Sequence, residues 1–257
     1  MKIATFNANS IRSRIEPIRR WLAQHRPDVL AVQETKVQDS EFPVEEFAAT
    51  GYRILFRGQK KYNGVALFSR HEPKNIRDRL PGDTENEARF LQADYDGVTV
   101  VNTYVPQGFE MGSDKFRYKL RWFGWLRDYL AETIAPQSKL VWLGDLNVAR
   151  TDIDVHDPDG LWGSVCFCQE VQDAFEAVME LGLTDVFRLH HPDQPGQYTF
   201  WDYRVPNGFK RNLGWRLDYI NATDALARRC TRCEIDLAPR SADKPSDHTF
   251  LWAEFDV

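Results

Sequence analysis

Nine polar residues of this 257-residue chain could together handle a metal ion and a phosphate ester: Asn7, Asn9, Glu34, Tyr104, Asp145, Asn147, Asp218, Asp247 and His248. Glu34, Asp145 and Asp247 supply hard carboxylate oxygens, and Asn7 and Asn147 supply amide oxygens. That inventory suits Mg²⁺, with Mn²⁺ as a substitute, because Mg²⁺ prefers oxygen ligands and keeps several waters. A cation held this way stabilises the leaving oxygen of a phosphate ester. Asp145 is a candidate general base for an attacking water, with Asn147 to orient it. His248, held by Asp218, is a candidate to stabilise charge on a phosphorane-like transition state. Tyr104 and Lys115 are candidates to contact the phosphate. Taken singly, most of these residues have plainer readings. An Asn or Asp after a strand is ordinarily a turn residue, and Glu34 alone would be a solvated loop charge. Asp218 is different. Flanked by Leu217, Tyr219 and Ile220, its carboxylate reads as buried, and a buried charge needs a partner. His248 is the partner the chain offers.

The elements that must position these residues are short strands. Lys2–Phe6 and the apolar run Val29–Gln33 read as strands, with a helix over Ile15–Gln24 between them. Arg53–Gly58 and Gly64–Ser69 follow. Phe90–Tyr95 and Val98–Tyr104 flank Asp96-Gly97, a hairpin turn that requires positive φ. Phe116, Leu120, Phe123, Leu126 and Leu130 recur at helical spacing, giving a long amphipathic helix from about Asp114. Lys139–Leu143 reads as a strand ending at Gly144, and Gln169–Leu181 as a helix that Gly182 ends. Tyr198–Trp201, Arg216–Asn221, Arg232–Leu237 and Thr249–Phe255 read as the remaining strands. This mixture of hairpins and helices, without strict βαβ alternation, predicts two packed sheets covered by helices, as one domain over residues 1–257.

Composition sets the outer bounds. Hydrophobic residues make up 42%, enough for a large core and against disorder. No run reaches the ~18 apolar residues of a membrane span, and no signal-peptide pattern opens the chain, so a cytoplasmic location away from membranes is the expectation. The formal charge of −5 weighs against a nucleic-acid binder, which usually carries a basic face. Clustered acidic ligands, however, offset a separate basic rim. The four cysteines, Cys166, Cys168, Cys230 and Cys233, read as reduced thiols, with a zinc site as the alternative if the two pairs met.

Seven sequence blocks stand in order along nearly the whole chain: Phe6-Asn7-Ala8-Asn9-Ser10-Ile11-Arg12, Pro27 to Lys36 around Gln33-Glu34-Thr35-Lys36, Tyr62-Asn63-Gly64-Val65-Ala66, Tyr104-Val105-Pro106-Gln107-Gly108, Gly144-Asp145-Leu146-Asn147, Gly214-Trp215-Arg216-Leu217-Asp218-Tyr219 and Ser246-Asp247-His248. Together they resemble the exonuclease III-type abasic endonucleases of the DNase I-like endonuclease/exonuclease/phosphatase superfamily. The resemblance implies a four-layered α/β sandwich. It also implies incision 5′ to an abasic site in duplex DNA, with 3′→5′ exonuclease activity and cleaning of blocked 3′ ends. By position it makes Glu34 the main metal ligand, with Asn7, Asp145, Asn147, Asp247 and His248 around it. Tyr104 and Asp145 become the catalytic pair, with Asp218 supporting His248. Phe200, Trp201, Trp215 and Leu217 resemble a pocket for the flipped sugar, since a small apolar slot admits a baseless sugar and excludes a nucleotide with its base.

The basic residues can then be placed. Asn9, Arg12 and Lys115 are expected at the DNA, as are the loop clusters Arg12/Arg14, Lys60/Lys61 and Lys210/Arg211. The Lys119/Arg121 end of the long helix reads as solvated surface. The chain departs from the family pattern in two places. Val171-Gln172 stands where a Glu-Arg pair is usual, and Thr249-Phe250 follows Asp247-His248. A monomer is expected. The rival readings are a nonspecific nuclease or small-molecule phosphoesterase of the same superfamily and, from another class, a catalytically dead DNA-binding module.

Overall fold

The computed structural model describes residues 1–257. Its twelve strands are β1 (Lys2–Asn7), β2 (Val29–Gln33), β3 (Arg53–Arg57), β4 (Val65–Ser69), β5 (Lys74–Arg77), β6 (Phe90–Tyr95), β7 (Val98–Tyr104), β8 (Leu140–Asp145), β9 (Leu183–Asp185), β10 (Asp218–Thr223), β11 (Cys230–Asp236) and β12 (Phe250–Phe255). They form two six-stranded sheets, ordered β11-β12-β1-β2-β4-β3 and β5-β6-β7-β8-β10-β9. Each sheet is antiparallel apart from one central parallel pair, β1 with β2 and β7 with β8.

Strand alternation decides the layers, because successive side chains point to opposite faces of a sheet. In β1, Ile3 faces the second sheet, while Ala4 and Phe6 face outward. In β8, Val141 and Leu143 face the first sheet, while Leu140 and Trp142 face outward. The central core of 22 residues therefore lies between the sheets. The outer face of the second sheet packs on helices α2 (Asp114–Thr133) and α3 (Gln169–Met179), and the outer face of the first packs on α1 (Ile15–His25). The result is the four-layered sandwich expected from the sequence. Ser113 starts α2 by accepting the Phe116 N–H on its hydroxyl at 3.1 Å, a cap that satisfies one orphan donor of the first turn. No helix is long and apolar enough to cross a membrane.

Three expectations are corrected. The strand expected to end at Gly144 continues to Asp145. Tyr198–Trp201 is not a regular strand, but Phe200 forms isolated bridges with Trp215 and with His248. Asp218 heads β10 rather than lying inside it. The cysteines stay apart, with Cys166 and Cys168 in the helix-side core and Cys233 between the sheets. The zinc reading is therefore not met.

Candidate active site

Both parallel pairs end at the same rim of the sandwich. β1 delivers Asn7, β2 leads into Glu34, and β7 and β8 end side by side at Tyr104 and Asp145. Gly144 makes this last approach possible. Its φ is 134°, and a Cβ there would sit 1.9 Å from the Thr103 carbonyl oxygen. Just beyond the strands, Asn9, Glu34 and Asn147 adopt left-handed backbone at φ 43°, 51° and 50°. Non-glycine residues in that region cost of order 1–3 kcal/mol each and gather at functional sites.

Asn7 Nδ2 donates to Glu34 Oε1 and to Asp145 Oδ2, each at 2.8 Å, and so ties the two sheets together through their carboxylates. Its Oδ1 accepts the Asn9 N–H at 2.9 Å. In this arrangement the Asn7 amide nitrogen, rather than its oxygen, faces the acids. Asp145 Oδ1 accepts the Asn147 N–H at 3.0 Å, and Asn147 Nδ2 donates to the Val105 carbonyl at 3.0 Å. Asn9 Nδ2 donates to Asp247 Oδ1 at 3.0 Å, which brings the last loop to the first.

His248 is buried between two carboxylates. Its Nδ1 lies 2.7 Å from Asp218 Oδ2, and its Nε2 lies 3.7 Å from Asp145 Oδ2. Thr199 Oγ1 accepts the Leu217 and Asp218 N–H groups at 3.1 Å each, which fixes the strand that carries Asp218. Burial works against the imidazolium, but Asp218 and then Asp145 outweigh it and raise the His248 pKa to about 10. Burial raises Asp145 to about 7. His248 opposes that rise, and Asp218 and Glu34 add to it. Glu34 is lowered despite its burial, because the Lys36 ammonium lies 2.8 Å from Oε2. Burial, and then Glu34, hold the Tyr104 hydroxyl well above the usual phenol range.

Two corners of this site offer ligand atoms to a cation. On one side Asp145, Asp218 and His248 lie close enough to share an ion. On the other side stand the oxygens of Glu34, Asp145 and Asp247, with Asn147 Oδ1 bonded only to the Cys166 thiol at 3.9 Å. The chain's own Lys36 ammonium bonds there to both Glu34 Oε2 and Asn9 Oδ1, so this corner attracts positive charge. The donor set is all oxygen, as Mg²⁺ and Mn²⁺ prefer.

The site opens into a cleft of about 440 Å³ lined by Glu34, Tyr104, Asp145, Asn147, Asp247 and His248 on its polar side and by Phe200, Trp215 and Leu217 on its apolar side. The Phe200 ring lies 4.8 Å from the His248 ring. Trp201 does not reach the cleft. It is 1% exposed, donates to Asn212 Oδ1 and packs edge-on against Phe209, so its expected place in the pocket is not met. Arg12 is exposed and paired with Glu41 at 2.8 Å, away from the cleft. Lys115 lies over the Phe109 ring in an adjoining cleft of about 530 Å³ that shares Tyr104. Lys60, Lys61, Lys210 and Arg211 are exposed. Arg14 is buried and bonds Tyr203 and Pro245, so it is a brace for the last loop.

Some site residues gave no separate signal in the sequence. Lys36, Thr199 and Phe109 are polar or aromatic loop residues like many others. Lys119 did carry a signal. It falls on the stripe Phe116, Lys119, Phe123, which points it inward, and it is wholly buried rather than solvated.

Residues 4–248 match the endonuclease/exonuclease/phosphatase family. The chain belongs to that family, in the branch of exonuclease III and the AP endonucleases. It is 35% identical to an exodeoxyribonuclease III from Haemophilus influenzae over 99% of this chain and 100% of that protein. Among solved structures, an AP endonuclease from Archaeoglobus fulgidus superposes with a TM-score of 0.97 at 48% identity, covering both chains completely. The 3′ phosphatase NExo from Neisseria, bound to a product DNA hairpin, superposes with the same TM-score at 36% identity, again over the whole of both chains.

Proposed function

We propose that this chain is a monomeric Mg²⁺-dependent phosphodiesterase that incises duplex DNA 5′ to abasic sites and also removes nucleotides or blocking phosphates from 3′ ends. One observation carries the reading: the His248 imidazolium stands against the Phe200 ring, so phosphate chemistry and an apolar slot share one cleft. The names of the relatives support the activities, and the product hairpin held by the Neisseria protein supports DNA as the partner.

Glu34, Asp145 and Asp247 would hold the cation. Bound there, it neutralises charge on the phosphate and its leaving oxygen. The remaining work belongs to the side chains. Asp145, raised toward neutrality, takes the proton of the attacking water, because His248 is already protonated. Asn147 orients that water. His248, kept charged by Asp218, stabilises the oxygens of the five-coordinate phosphorus. Tyr104 keeps its proton and donates it in a hydrogen bond to a phosphate oxygen. Phe200, Trp215 and Leu217 close around a sugar without its base. Residues 1–257 act as one catalytic unit.

The test compares a duplex carrying one abasic analogue with an undamaged duplex and a 3′-recessed duplex, each with Mg²⁺. Faster incision of the abasic duplex is the expected outcome. Equal rates on abasic and intact duplexes, or no cleavage with metal present, would refute the substrate assignment.

A further inference from the structure

The buried Lys119 has no role in the chemistry above, and its surroundings are unusual. Its side chain leaves the first turns of α2 and is 0% exposed. Nζ donates to the backbone carbonyls of Asn147 at 2.7 Å, Val165 at 2.6 Å and Gln107 at 3.2 Å, with the Cys166 thiol at 3.8 Å. No carboxylate pairs with it. The three carbonyls belong to three different loops, and Gln107, Asn147 and Val165 all line the cleft.

The contacts at Asn147 complete a pattern. This residue holds left-handed backbone at φ 50°. Its N–H goes to Asp145, its side-chain N–H to Val105 and its carbonyl to Lys119. Only Oδ1 is left without a strong bond, its one contact being the Cys166 thiol at 3.9 Å, and the residue lines the cleft. A terminal amide points where its backbone and its other bonds direct it, so the Lys119 bond is one of three that aim Oδ1. A neutral apolar side chain of equal length would enter a region whose neighbours, Val165 and Cys166, already belong to the apolar core. It would leave the three loops without their common donor.

We infer that Lys119 is a positioning residue for phosphodiester hydrolysis, acting from outside the cleft by pinning the Asn147 backbone so that the Asn147 amide oxygen meets the attacking water. The inference rests on the proposed phosphodiesterase reading, but not on which DNA substrate is preferred.

The test is a double-mutant cycle of Lys119→Met with Asn147→Ala, run on whichever DNA phosphodiester the wild-type protein hydrolyses. A wild type that prefers plain 3′ ends would refute the abasic assignment and leave this cycle measurable. Lys119→Met is expected to lower kcat by roughly 10- to 100-fold, the scale of a small misplacement of reacting groups, with KM for DNA within about twofold. In the Asn147→Ala background the same change should lower kcat no further. In protein without added metal, backbone amide hydrogens over residues 144–150 should exchange faster in Lys119→Met than in wild type. If Lys119→Met does not fold, Lys119→Gln, which keeps an amide donor, is measured by the same three readouts. Losses that multiply in the double variant, a change confined to KM, or unchanged exchange over residues 144–150 would each overturn the inference.

Discussion

Asp218 Oδ2 and His248 Nδ1 lie 2.7 Å apart, although Asp218 heads β10 of the second sheet and His248 stands just before β12 of the first. The charge on the imidazole is therefore set by how the two sheets meet. Asn7 makes a second link between the sheets, donating to Asp145 Oδ2.

Replacing Asp218 by Asn keeps the shape and removes the anion that holds the His248 proton. The His248 pKa then falls from about 10 toward the ordinary value near ~6.5. Wild-type activity should not fall across neutral pH through loss of this proton. Activity of Asp218→Asn should decline as pH rises through about 6.5. A pH–rate profile of both proteins checks this. His248→Gln should lower kcat by roughly 100- to 1,000-fold at all pH values, the range for losing one strong electrostatic donor.

Chelation should abolish cleavage, and Mg²⁺ or Mn²⁺ should restore it. A cation that binds only the folded state raises thermal stability by mass action. Mg²⁺ should therefore raise the Tm of wild type and have a much smaller effect on Glu34→Gln. Differential scanning fluorimetry at several Mg²⁺ concentrations reads this without any DNA.

The apolar wall separates selectivity from folding. Phe200→Ala and Trp215→Ala should slow incision of the abasic duplex by about tenfold or more, on the scale of ~1–3 kcal/mol of lost pocket contact, and change cleavage of undamaged ends far less. Trp201→Ala should instead destabilise the protein by about 3–5 kcal/mol, because Trp201 is core. Parallel kinetics and urea unfolding of the three variants distinguish the two effects.

Behind the pocket, Arg216 and Asp154 are both buried and bonded at 2.7 Å, with Arg188 on the same carboxylate. Burial opposes the Asp154 charge, but the two guanidiniums prevail and lower its pKa to about 2. A carboxylate depressed in the folded state adds stability above its unfolded pKa, and that stability is lost as pH falls through the folded value. The contribution, about 2 kcal/mol at neutral pH, should disappear between about pH 4 and pH 2. Comparing wild type with Asp154→Asn by unfolding at pH 7 and pH 3 checks this, with a smaller difference between them at pH 3.

Strands whose apolar runs were long and bounded by turns, such as Val29–Gln33 and the Phe90–Tyr104 hairpin, were legible to the residue. Tyr198–Trp201 was not. Its alternation looks like a strand, but its backbone bonds are divided between Trp215 and the Asp247–Thr249 segment, and no local pattern reveals such partners. The reacting groups were legible as residue types, yet their orientation was not. Which end of the Asn7 amide faces the acids, and whether His248 has a free lone pair, depend on charges brought from distant segments. Lys119 was misread because its charge was weighed above its place in the helical repeat.

The pairing order of the first sheet also ties the site to closure of the fold. β1 lies between β2 and β12, so one edge of β1 stays open until β12, far along the chain, docks against it. Asp247 and His248 stand just before β12. With β12 undocked, Asp145 lacks the imidazole that stands beside it in the closed fold. Closing the sheet and completing the charge balance of the site are therefore a single event.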